Sequence, residues 1–138
     1  MGYMEPSGLE DFAKALPSAA AQVRAGNEAK GFGTLPEEIE SFSEAALTWC
    51  EDRLDATAIG LIHGEVSEMM EARRRPRWKI EQSEHLAAFT AFVEEGADVI
   101  IRVLDLYARL GLAEQLAAAI PAKVAFNATR PFKHGRTF

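Results

Sequence analysis

Cysteine is almost missing from this chain: Cys50 stands alone, so no intrachain disulfide can close. The N-terminus shows no basic segment followed by an apolar stretch and a cleavage site, and the expected home is the reducing cytoplasm. Apolar runs are short, and none approaches the roughly 18 residues of a membrane span, so the chain reads as soluble, with no membrane partner. Internal repeats and low-complexity tracts are absent, leaving an alanine-rich bias that favours helix. Acidic residues are absent from positions 121–138, where Lys123, Arg130, Lys133 and Arg136 lie. Of 15 basic residues, 11 remain for the first 120 positions against all 21 acids, a net charge of −10 there and −6 overall. That lacks the broad basic face of a duplex DNA binder, and no nucleic-acid partner is expected. A basic tail on an acidic protein suits a small anionic ligand, and a solvated tail equally.

What is present is enough for one core. The 138 residues, 48% of them hydrophobic, suit a single domain over 1–138. Residues 1–8 read as a loose arm before a helix from about Leu9 towards Lys30, which Pro17 should interrupt. Gly31, Gly33 and Pro36 mark a break, and Glu37 and Glu38 suit the next helix start. From Ile39 to Met70, apolar residues recur at steps of three and four, as one long helix or two joined near residues 51–55. Arg73, Arg74 and Arg75 suit a last turn, and Pro76 a stop. With Arg77 and Lys79 they form a basic cluster, read as a helix end and solvated loop. Another helix is expected from an N-cap at Ser83 to a stop at Gly111, and a last one over about Leu112 to Ala128. An irregular basic tail follows over 129–138. The fold class is all-α, a bundle of four to five helices.

Glu65 and Glu68 are three residues apart, which places both on one helix face, and Glu95 and Asp98 repeat the spacing on the following helix. At about 1.5 Å per residue, Glu68 lies about 10 Å from the end at Arg75, and Glu95 about 16 Å from a start at Glu84. In an antiparallel hairpin the two pairs therefore stand at similar heights. Four facing carboxylates repel unless cations neutralise them, and an all-oxygen set suits Mg²⁺, with Mn²⁺ as a substitute. Taken alone, either pair is also what an exposed amphipathic helix shows by chance. Flanking Ile62, Val66 and Met69, and Ala97, Val99, Ile100 and Ile101, put the acids beside residues expected to pack. Gly96 offers room for a close neighbour. A di-iron centre would need Glu-x-x-His motifs, which neither pair supplies. His63 lies about 200° around the helix from Glu65 and suits packing or capping better than ligation.

LIHGEVSEMMEARR (61–74) followed by EEGADVIIRVLDL (94–106) resembles the ExxE and ExxD signature of MazG-like nucleoside triphosphate pyrophosphohydrolases, with 26 residues between Glu68 and Glu95. KVAFNATRPFKHGRTF (123–138) matches the family's third element, and NEAKGF (27–32) loosely resembles its first-helix ending. Gly64 departs from the many members that carry a glutamate there. The resemblance implies hydrolysis between the α and β phosphates of a nucleoside or deoxynucleoside triphosphate, releasing monophosphate and pyrophosphate. It implies metal ligation by Glu65, Glu68, Glu95 and Asp98, with Glu65 or Glu68 also taking the proton of the attacking water. Lys123, Asn127 and Arg130, at steps of four and three, then become a phosphate-binding row, and Lys133, His134 and Arg136 close over the triphosphate. Asn27, Lys30, Phe32, Trp49 and Trp78 are candidates for base contacts, with core or anchor roles as alternatives for the aromatics. A homodimer or higher homo-oligomer is implied as well. The competing function is a non-catalytic helical interaction module that keeps the carboxylates as a structural metal site.

Overall fold

The computed structural model describes residues 6–74 and 81–131. The described residues form four α-helices, α1 (Pro6–Ala29), α2 (Glu44–Arg74), α3 (Ala91–Arg109) and α4 (Ala113–Ala128), with a 3₁₀ turn at Glu37–Ser41 before α2. Among the described residues there is no strand, only an isolated bridge between Gln82 and Thr90. The protein is thus the all-α helical bundle its periodicity predicts. No described helix is long and apolar enough to cross a membrane.

Several boundaries differ from the sequence reading. The loose arm does not reach residue 8, because α1 already begins at Pro6, where a missing N–H costs nothing in a first helical turn. Pro17 does not interrupt α1. Leu16 and Ala20 beside it are 4% and 0% exposed, and their burial holds the helix through the lost hydrogen bond. Glu37 and Glu38 open only the 3₁₀ turn; α2 starts after Ser43, whose hydroxyl accepts from the Ala46 N–H. From there α2 runs 31 residues without a joint at 51–55. Ser83 does not cap α3. Its hydroxyl accepts from the His85 and Leu86 N–H groups within a turn, and Thr90 is the N-cap, accepting from Val93. The stop at Gly111 is as expected: Gly111 has φ +68°, Leu112 N–H reaches Tyr107 O and Gly111 N–H reaches Ala108 O.

The expectations for Arg75, Pro76, Arg77, Trp78, Lys79, Lys133, His134 and Arg136 lie outside the described residues. The basic residues of the α2 end that are described, Arg73 and Arg74, do lie in its last turn.

The core is thin. Leu16 and Ala20 of α1, Leu106 of α3 and Ala117 of α4 are its buried apolar members. α3 is central, with α1 and α2 against it and α4 closing on α1. A polar link also joins α1 to α3: the buried Arg24 guanidinium donates to Asp105 Oδ1 at 3.1 Å, to Phe32 O at 3.1 Å and to Gly33 O at 3.0 Å. One side chain thereby fastens the 31–33 loop to both helices. Gly33 has φ +63°, and a Cβ there would stand 3.0 Å from an Arg24 nitrogen, so the loop requires glycine at this point.

Candidate metal centre and adjoining cavity

α3 carries a charged stripe, Glu95, Asp98, Arg102, Asp105 and Arg109, at alternating steps of three and four, which is a single helix face. That face lies towards α1 and α2. Arg102 Nε is 2.5 Å from Glu65 Oε1, and Arg109 donates to Asp55 Oδ1 at 2.6 Å. Position 96 neighbours Met69. Rising numbers on α3 thus meet falling numbers on α2, which makes the hairpin antiparallel and brings 65 level with 98 and 68 with 95.

The consequence is a cluster: Glu65, Glu95 and Asp98 each offer a carboxylate oxygen, all within 4.8 Å of one another. Glu65 is the buried member, 9% exposed, and Glu95 and Asp98 are half-buried. Glu68 is exposed and stands outside this trio, yet its charge acts on Glu95. Burial, then the charges of Glu68, Asp98, Glu65 and Glu94, push the Glu95 carboxyl above its ordinary range. Burial also raises Asp98, together with Glu65 and Glu94, while Arg102 and His85 oppose the rise. Each shift records the cost of holding several carboxylates together with little cationic relief. Three oxygen donors so close together could hold a metal ion.

Beside the cluster lies a cavity of about 440 Å³. Glu65, Asp98 and Arg102 form one wall, and Asn27, Phe32 and Leu61 are among the residues on the others. The Ser83 hydroxyl donates to the Glu94 carboxylate next to Glu95, fixing the start of α3 against the preceding turn.

Other residues singled out from the sequence lie elsewhere. Lys123, Asn127 and Arg130 are exposed, and none lines this cavity. Lys123 Nζ sits 5.0 Å over the Phe126 ring on its own helix. Lys30 is in the exposed turn after α1 and does not line the cavity. Trp49 is 59% exposed with the Arg53 guanidinium 4.8 Å over its ring, away from the acids. His63 is exposed and does not pack. Ala97 and Ile100 are exposed rather than packed, Ile100 by 60%, whereas Ile101, 40% exposed, lines the cavity with Glu65 and Asp98. Gly96 is not forced by crowding, since the nearest atom to an added Cβ would be Met69 Sδ at an ordinary 3.9 Å.

Arg102, Arg24 and Arg109 escaped the sequence reading. Arg24 has a local partner in Glu28 at 3.1 Å, but the acids Asp105, Glu65 and Asp55 that tie these arginines across helices are 37 to 81 residues away, so no local spacing reveals those pairs. The signal that was available is the 3-4-3-4 stripe on α3, in which acids and arginines share the face that two other helices must cover. The chain matches no protein-family model, no curated protein and no solved structure, so the functional argument rests on its own residues.

Proposed function

We propose that the chain is a Mg²⁺-dependent pyrophosphohydrolase of nucleoside or deoxynucleoside triphosphates, of the kind its motifs resemble. The observation that carries this reading is the convergence of Glu65, Glu95 and Asp98 oxygens within 4.8 Å on the edge of a 440 Å³ cavity. Mg²⁺ held there would neutralise phosphate oxygens and acidify a water for in-line attack. Glu65, Glu95 and Asp98 would hold the cation. Glu65 would be taken up by the cation, so the exposed Glu68, level with Glu95 and outside the trio, is the better acceptor of the water's proton. Asn27 and Phe32 offer an amide and a ring face to the nucleoside end. Lys123, Asn127 and Arg130 are exposed on α4, outside the residues that line the cavity, and their proposed grip on the phosphates follows from the resemblance of the 123–138 segment.

Association into a homodimer belongs to the same reading. Ile59 and Met70 of α2 and Phe92, Val93 and Ile100 of α3 are 40–60% exposed, apolar side chains that a second copy would cover. The same surface also favours the second reading, a helical interaction module with a structural metal site. Turnover separates the two. A panel of canonical and modified NTPs and dNTPs, assayed for pyrophosphate with and without Mg²⁺, should give metal-dependent release for at least one substrate. No release from any of them, by protein that binds Mn²⁺, would leave the interaction module.

A further inference from the structure

Arg102 occupies a position that the four-carboxylate scheme does not use. Its Nε donates to Glu65 at 2.5 Å, and Glu65 is the most buried acid of the cluster. The Arg102 side chain is 39% exposed and lines the 440 Å³ cavity. A guanidinium has five N–H donors, and among the described residues Arg102 engages only the one on Nε. The fork formed by its two terminal nitrogens, the part that grips phosphate oxygens in pairs, is uncommitted.

We propose that Arg102 is a displaceable counter-ion: it pairs with Glu65 until a divalent cation takes that carboxylate, and its guanidinium then turns to the phosphates of the nucleotide in the adjoining cavity. This rests on the proposed activity for its second half only. The physical reason for displacement is charge. A Mg²⁺ ion about 2.1 Å from the Glu65 oxygen that Arg102 now holds would stand at most about 4.6 Å from Nε, and two positive charges at that separation repel, although water reaching the 39% exposed Arg102 screens part of the repulsion. A short rotation carries the guanidinium from the acids to the cavity it already borders. Arg102 in this scheme both sets the affinity for metal and links metal entry to substrate binding, because the free fork is held against Glu65 by the Nε bond and turns to the phosphates only once that bond is given up.

The two halves give effects of opposite sign, which separates them from a merely structural role. Arg102→Gln removes the competing charge, and Mn²⁺ titrated into the whole protein, followed by the loss of its free electron-spin signal, should bind at least threefold more tightly than in wild type. In saturating Mn²⁺, a non-hydrolysable nucleotide should bind about tenfold or more weakly, the loss expected for a charge-assisted contact. Arg102→Lys, which keeps a charge but not the fork, should leave Mn²⁺ affinity closer to wild type and still lose nucleotide affinity. Circular dichroism confirms that each variant is folded. Unchanged or weaker Mn²⁺ binding in both variants would overturn the displacement, since an arginine that merely orients Glu65 supports the metal. Tighter Mn²⁺ binding with unaltered nucleotide binding would overturn the phosphate contact. The Mn²⁺ titration contains no nucleotide, so it decides the displacement even if the chain hydrolyses none.

Discussion

Replacing Arg24 by alanine should be among the most damaging single changes available outside the acid cluster. The side chain is 11% exposed, and its partner Asp105 is 19% exposed. Alanine would leave that carboxylate without its counter-charge and would strip the Phe32 and Gly33 carbonyls of a donor. Removing one member of a buried ion pair costs about 3–5 kcal/mol, against a total stability of about 5–15 kcal/mol for a domain. With a urea slope of about 2 kcal/mol/M, the unfolding midpoint should fall by about 1.5–2.5 M. The assay is equilibrium urea unfolding followed by circular dichroism on wild type, Arg24→Ala, and a double variant, Arg24→Met with Asp105→Leu. The double variant should recover much of the loss, because no charge is then stranded, while falling short by the two loop carbonyls at about 1 kcal/mol each. A loss below about 1 kcal/mol in the single variant, or a double variant no better than the single, would refute the view that Arg24 ties α1, α3 and the 31–33 loop together.

Three further outcomes are expected. The Glu95 and Asp98 carboxyls are raised above the ordinary range, so the metal-free folded state holds protons more firmly than the unfolded chain. Their contribution is therefore lost as pH rises from the ordinary carboxylate range, about pH 4, through the raised values. Glu95→Gln without metal should melt above wild type at neutral pH by a margin that shrinks towards about pH 4; a margin independent of pH would contradict this. Gly96→Ala should raise the melting temperature by a few degrees, since helix propensity gains about 1 kcal/mol and the added carbon finds Met69 at an ordinary distance. A fall in Tm would mean that α2 approaches α3 more closely. Lys123→Ala should weaken nucleotide binding by calorimetry and leave Mn²⁺ binding intact; unchanged nucleotide affinity would return the α4 row to a solvated helix face.

Helices were legible because the periods of three and four are local. Gly111 could be read as a stop for the same reason: the backbone there demands positive φ, which only glycine adopts cheaply. The start of α3 was not legible, because Ser83 has the chemistry of a cap and uses it within a turn seven residues early. That error changes the height arithmetic less than it seems to. Glu95 stands five residues beyond Thr90, about 7 Å, closer to the 10 Å allotted to Glu68 than a start at Glu84 would give. The acids were found by spacing, but which of them group most tightly depends on side-chain reach across two helices. The burial of the α3 stripe was hidden for a different reason. Apolar residues were expected to face inward, whereas α3 turns arginines and acids towards its neighbours and leaves Val93 and Ile100 to solvent.

The central claim is that Glu65, Glu95 and Asp98 hold a cation that serves nucleotide hydrolysis. Product analysis on wild type and on folded Glu95→Gln, each supplied with the best substrate of the panel and Mg²⁺, tests it most directly. The account predicts monophosphate and pyrophosphate in equal amounts from wild type, abolished by a chelator and by the single loss of charge in Glu95→Gln. Orthophosphate as the product, or equal turnover by wild type and Glu95→Gln, would contradict it.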